Sequence, residues 1–159
     1  MDRLRLHGVT RRLLGKALGG SALLAIANRM TGGPAPAEAA FVCELKAALN
    51  GAKETDGAGT FNLGDPDGNG TACIDLKAKR ICWQITVKKI GPATLAHIHS
   101  GTRAQKGLVV VDFDGKLEGC NPVDPALITE IRTAPGKFYV NVHTAKFPDG
   151  AIRGQLKQV

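Results

Sequence analysis

From Phe41 to the end of the chain, apolar residues recur at every second position in short runs, and Gly, Pro, Asn or Asp interrupts each run. Ala72, Ile74 and Leu76 alternate with other residues, as do Ile81, Trp83, Ile85 and Val87. Period two marks a strand with one buried face, because successive side chains point to opposite sides of a pleated backbone. The polar link from Lys77 to Arg80 joins these two runs as a hairpin. Segments 43–49, 95–99, 108–113, 138–144 and 151–156 supply further short strands. No long helical period appears; the one helical turn expected runs from Asp124, as cap, to Ile131, with Leu127, Ile128 and Ile131 inward. This pattern predicts an all-β domain, an antiparallel Greek-key β-sandwich or flattened barrel.

The first forty residues read differently. Arg3, Arg5, Arg11 and Arg12 precede an apolar run from Ala17 to Ala27, followed by GGPAPAEAA with small residues at a spacing that a signal peptidase accepts. That order predicts a signal peptide and cleavage region over residues 1–40, cut after Ala39 or Ala40, with the mature domain over 41–159. Thr10-Arg11-Arg12-Leu13-Leu14-Gly15-Lys16 resembles the twin-arginine motif, with Arg11 and Arg12 as the signal pair. The apolar run falls short of the roughly 20 residues that span a bilayer. Phe41 and Val42, bulky residues just before Cys43, argue against a lipid anchor. The chain is therefore expected in the periplasm or outside the cell.

Export changes the electrostatics. Residues 1–40 hold six of the 21 basic residues and two of the 14 acidic ones, so the mature part keeps 15 against 12, a formal +3. With few aromatics and no basic stripe, it offers no case for nucleic acid. Cys43, Cys73, Cys82 and Cys120 all lie in this part. An even count in an exported chain points to disulfides, and the close CxxC pairs of a four-thiolate zinc site are absent. A two-residue turn at Lys77-Ala78 would set Cys73 across from Cys82, whereas a longer turn would offset them.

The stretches LAHIHSG, residues 95–101, and YVNVH, residues 139–143, carry the candidate chemistry. His97 and His99 share a strand face, with Cα atoms roughly 6.5 to 7 Å apart. Ala96 and Ile98 then face the core, as do Val140 and Val142 on the second strand, which sends Tyr139, Asn141 and His143 outward. If the strands are neighbours, His97, His99 and His143 meet on one face, in the arrangement that imidazole ligands of copper or zinc require. The alternative is structural: the histidines bond to turn backbones, Asn141 or Ser100 and lock the loops.

LAHIHSG, then GLVVVDF, then GC, then FYVNVHTAKFPDGAIRGQL, together with LNGAKE, GDPDGNGTA and ICWQITV, resemble the CHRD domain, a module named from chordin and widespread in exported bacterial proteins. The resemblance covers nearly all of the mature chain and implies a small extracellular β-sandwich, with little about chemistry. It also implies Cys82 bonded to Cys120, leaving Cys43 with Cys73. The HxH and VxH strands are similar to those of copper/zinc superoxide dismutase, a Greek-key barrel with its metal outside the barrel wall, and Arg153 is similar to that family's arginine near the metal. No histidine lies between His99 and His143, and the dismutase's metal-binding loop is missing, so dismutase activity is not implied.

Two other motifs read as structure. Asp65-Pro66-Asp67-Gly68-Asn69-Gly70 begins like a calcium loop, but its twelfth position is Leu76, so a tight turn is expected. Ser100 lacks the strained GxSxG turn of a hydrolase nucleophile. The expected function is an exported binding or structural module with an extracytoplasmic protein or ligand as partner. The alternative is a copper- or zinc-binding redox protein using His97, His99 and His143.

Overall fold

The computed structural model describes residues 40–159. The signal segment, with Arg11 and Arg12, lies outside the described residues apart from Ala40. Nine strands follow in chain order: β1 Leu45–Asn50, β2 Asn69–Leu76, β3 Arg80–Lys88, β4 Ala93–Ser100, β5 Val109–Asp112, β6 Glu118–Pro122, β7 Phe138–Thr144, β8 Ile152–Gln155 and β9 Lys157–Gln158. Among the described residues one α-helix, α1 Pro125–Thr133, and two 3₁₀ turns, Gly51–Lys53 and Pro135–Lys137, interrupt them.

All pairings are antiparallel, in the order β5-β4-β7-β8-β1-β2-β3-β6, with β9 beside β1. The sheet curls until its two edges meet. Asn121 on β6 donates from Nδ2 to the Asp112 carbonyl on β5 at 2.7 Å, and Trp83 stacks on Phe113 with ring centroids 4.2 Å apart. The fold is therefore an all-β flattened barrel. Its interior holds the alternating residues of every long strand: Leu45 and Ala47, Ala72 and Ile74, Ile81 and Trp83, Ala96 and Ile98, Val140 and Val142, and Ile152.

Helix α1 is set by local chemistry. The Asp124 side chain accepts from the Ala126 N–H at 2.7 Å, and Pro125 occupies the first turn, where its missing N–H costs nothing. Ile128 and Ile131 enter the core, and Leu127 packs at its margin.

The β2–β3 register decides the cysteines. Leu76 pairs with Ile81 and the Lys77 N–H donates to the Arg80 carbonyl, so the turn is centred on Ala78-Lys79, one residue beyond Lys77-Ala78. Cys82 therefore faces Asp75, and Cys73 faces Gln84. On its other side β3 pairs with β6, where Cys82 stands opposite Cys120. Disulfides join Cys82 to Cys120, with Cα atoms 4.0 Å apart, and Cys43 to Cys73, with Cα atoms 5.3 Å apart.

Strand β6, Glu118-Gly-Cys-Asn-Pro122, has no alternation and was not expected from the pattern. It exists because Gly119 lets the backbone lie against the Trp83 indole; a Cβ there would come within 2.9 Å of the ring.

Candidate metal centre

Strands β4 and β7 are neighbours, with Leu95 opposite His143, His97 opposite Asn141 and His99 opposite Tyr139. One face of this pair carries Ala96, Ile98, Val140 and Val142 into the barrel, none of them accessible to solvent. The other face brings His97, His99 and His143 together, with one nitrogen from each ring within 4.8 Å of the others.

This second face is not open, as the alternation alone suggested. His97 is 7% exposed, His143 8%, Asn141 3% and Tyr139 2%. Loops fold back over it, each tied to a side chain of the face. The Gly107 N–H donates to the Tyr139 hydroxyl at 3.2 Å, and Arg153 Nη2 donates to the carbonyls of Thr102 and Gln105 at 2.9 and 2.8 Å. Asn141 Nδ2 donates to Glu54, which reaches in from the segment after β1. Gly150 completes the cover, since a Cβ there would strike both Glu54 and Asn141 at 2.6 Å.

The same loops set the tautomers. A carbonyl accepts only, so the ring nitrogen facing it carries the proton. His99 Nδ1 donates to the Gly107 carbonyl at 3.0 Å, and His143 Nδ1 donates to the Pro148 carbonyl at 2.9 Å. Both neutral rings thus leave Nε2 unprotonated. His99 Nε2 is sealed from solvent and has no hydrogen-bond partner. His143 Nε2 lies 3.2 Å from His97 Nδ1. The remaining nitrogen of His97, Nε2, lies 3.7 Å from Asp112 Oδ1 on the neighbouring strand β5.

Burial holds all three rings neutral. It lowers the pKa of His97, with His143 adding to the effect and Asp112 opposing it. It lowers His143 as well, against the bond to Pro148. It takes His99 down to about 4, against the bond to Gly107. Burial also raises Glu54 to about 8, although Arg153 and Lys106 pull the other way. A cavity of about 100 Å³ bounded by Glu54, His99, Tyr139, His143 and Arg153 adjoins the cluster.

Three neutral imidazoles form a donor set for copper or zinc. Zinc–nitrogen bonds of about 2.0–2.1 Å in a tetrahedral set place two nitrogens roughly 3.3 Å apart, so the His97–His143 pair already stands at ligand spacing. Arg153 borders the cavity beside His99 and His143. Its guanidinium lies 3.4 Å from the centroid of the Tyr139 ring, and Tyr139 in turn stacks on His99.

The other candidates disperse. Ser100 Oγ donates to the Leu108 carbonyl, not to either neighbouring histidine. Asp65 makes a turn: its side chain accepts from the Asp67 N–H and its carbonyl from the Gly68 N–H. Glu54 was missed, since a single acid in AALNGAKET gives no sign that it turns inward. The family model described as the CHRD domain matches residues 45–156. No curated protein and no solved structure matches the chain.

Proposed function

The chain belongs to the CHRD-domain family, and from that premise we propose that it is an exported module that holds a copper or zinc ion through His97, His99 and His143. One observation carries this reading: His99 Nε2 is buried and without a partner while Nδ1 faces the Gly107 carbonyl, in a cluster where one nitrogen of each of the three rings lies within 4.8 Å of the others. An orphaned buried nitrogen costs roughly 1–3 kcal/mol, a penalty that metal coordination removes. The carbonyls of Gly107 and Pro148 act as the outer partners that orient metal-bound histidines. His97 would serve as a ligand through Nδ1 with its proton on Nε2, and Asp112, 3.7 Å away, would be the outer partner of that proton.

Three protein ligands leave a further coordination position. The adjoining small cavity would admit a water or a small donor there. The chemistry supplied by the ion would be Lewis-acid binding of that donor or, with copper, electron transfer.

Export is supported by the amino-terminal sequence and by two disulfides, which persist outside a reducing cytoplasm. No helix among the described residues is long and apolar enough to cross a membrane.

The test is a titration of the purified protein with Cu²⁺ and Zn²⁺ beside His97→Ala and His99→Ala. One equivalent bound by the wild type and lost in both variants supports the metal centre. Absence of histidine-dependent binding at micromolar metal overturns it and leaves a module that recognises an extracytoplasmic protein or ligand by its surface.

A further inference from the structure

On the β1–β8 side of the loop that covers the histidines lies a second concave site. Its cavity, about 320 Å³, is walled by Ala48, Lys53, Arg103, Arg153, Gln155 and Lys157. Four of these six carry positive charge, and none is acidic. They come from separate places in the chain: Lys53 from the short 3₁₀ turn Gly51–Lys53, Arg103 from the covering loop, Arg153 from β8 and Lys157 from β9. Pairing of Asn50 with Arg153 and of Lys46 with Lys157 along β1 brings them to one side of the sheet.

Among the described residues these four convergent cations have no carboxylate partner within ion-pair distance, whereas some basic residues elsewhere in the domain do. Lys77 pairs with Asp75, Lys106 with Asp149 and Arg132 with Glu44. Three of the cavity's cations are instead held in place by neutral groups. Lys53 Nζ donates to the Ala48 carbonyl, Arg153 is fixed by the Thr102 and Gln105 carbonyls, and Arg103 stands 5.7 Å over the Phe61 ring. Cations oriented before a ligand arrives, and left uncompensated, are what recognition of a multivalent anion requires. Their proximity acts on Lys53, whose pKa is lowered by burial first and then by the charges of Arg103 and Lys157.

We propose that this cavity binds a phosphate or sulfate ester, its oxygens shared between Arg103, Lys157 and Lys53 and its organic part seated against Ala48 and Gln155. A volume at the lower bound of small-ligand pockets, ~300 Å³, suits an ester with a sugar-sized body better than a bare ion. The site does not depend on the histidine centre, although Arg153 borders both.

The experiment uses metal-free protein at fixed ionic strength, titrated with glucose 6-phosphate, glucose 6-sulfate and uncharged glucose while amide shifts are followed by NMR. Saturable shifts at Lys53, Arg103 and Lys157 with either ester, absent with glucose and with matching chloride, are expected. Arg103→Gln and Lys157→Gln should each weaken binding about tenfold, the loss of one charge-assisted contact, while the distant Lys116→Gln leaves it unchanged. A parallel arm measures sedimentation with vesicles containing phosphatidic acid. Arg103-dependent sedimentation identifies a lipid headgroup as the source of the ester, and soluble-ester binding without it identifies a free solute. Shifts no greater than those from chloride, or equal weakening by Lys116→Gln, overturn the proposal.

Discussion

His99 and Tyr139 stack face to face across the β4–β7 ladder, with ring centroids 4.8 Å apart and planes 4° from parallel. On the far side of β7, Arg153 of β8 lays its guanidinium on the same Tyr139 ring. The phenol is therefore clamped between an imidazole and a cation, and its hydroxyl accepts the Gly107 N–H. Gly107 in turn accepts from His99 through its carbonyl. One tyrosine thus positions both the ring of His99 and the loop that fixes its tautomer.

Tyr139→Phe keeps the stack and removes only the acceptor for Gly107, so a stability loss of about 1 kcal/mol is expected. Tyr139→Leu removes the stack, the cation–π contact and the hydrogen bond together, and a loss of about 2–4 kcal/mol is expected. Urea denaturation of both variants checks the order. Equal losses would mean that the ring contacts contribute nothing.

Disulfide removal tests the other end of the barrel. Cys82→Ser with Cys120→Ser opens a link across 38 residues and should cost roughly 2–4 kcal/mol. Peptide mapping of the unreduced protein should give Cys82 joined to Cys120 and Cys43 joined to Cys73; a Cys73–Cys82 peptide would contradict the β2–β3 register.

The strand alternation made most of this barrel legible, because burial on one face leaves a period-two mark in residues such as Ala72, Ile74 and Leu76. It also placed the three histidines on one face. Burial of that face could not be read from the strands, since β7 is buried at every position and its second side is covered by loops distant in sequence. Glu54, Gly107 and Pro148 reach the histidines through loop paths that carry no periodic signal. The Cys73–Cys82 alternative failed for a similar reason: Lys77-Ala78-Lys79 permits turns one residue apart, and the partner strand β6 has no alternation to announce it. Lys53, Arg103 and Lys157 are scattered over more than a hundred residues, so only the fold reveals their convergence.

Proton linkage makes the stability of the metal-free protein depend on pH in two opposed senses. The three histidines have folded pKa values below the ordinary 6.5. On acidification the unfolded chain takes up protons before the folded one, so stability falls from about pH 6.5 towards 4. Glu54 acts in the opposite sense: raised to about 8, it is protonated in the folded chain while ionised in the unfolded one, so stability falls as pH rises from its ordinary value towards 8. Thermal melts from pH 4 to 9 should show both slopes, and Glu54→Gln should flatten the alkaline one and steepen the acid one, where the Glu54 effect opposes that of the histidines. An unchanged alkaline slope would rule out Glu54 as its source.

Replacing Arg11 and Arg12 together by lysine should hold the precursor in the cytoplasm, because the twin-arginine route reads that pair whereas an ordinary secretory signal tolerates the change. Fractionation of cells producing the double variant provides the measurement, and undiminished export would exclude that route.

Asp112 separates a metal centre from a merely packed histidine cluster. Its half-exposed carboxylate accepts the Asp114 N–H at 2.8 Å, a bond that asparagine can keep, and lies 3.7 Å from His97 Nε2, so exchange for asparagine costs the metal-free fold little. With His97 Nδ1 as a ligand, Nε2 would carry the proton and Asp112 would be its outer partner. Outer partners of this kind are worth roughly 10- to 100-fold in metal affinity. Asp112→Asn should therefore weaken Cu²⁺ or Zn²⁺ binding about tenfold while leaving the metal-free melting temperature nearly unchanged. His97→Ala should abolish binding by removing the ligand itself. If Asp112→Asn lowers the melting temperature but not the affinity, Asp112 serves the β4–β5 pairing and has no part in holding the ion.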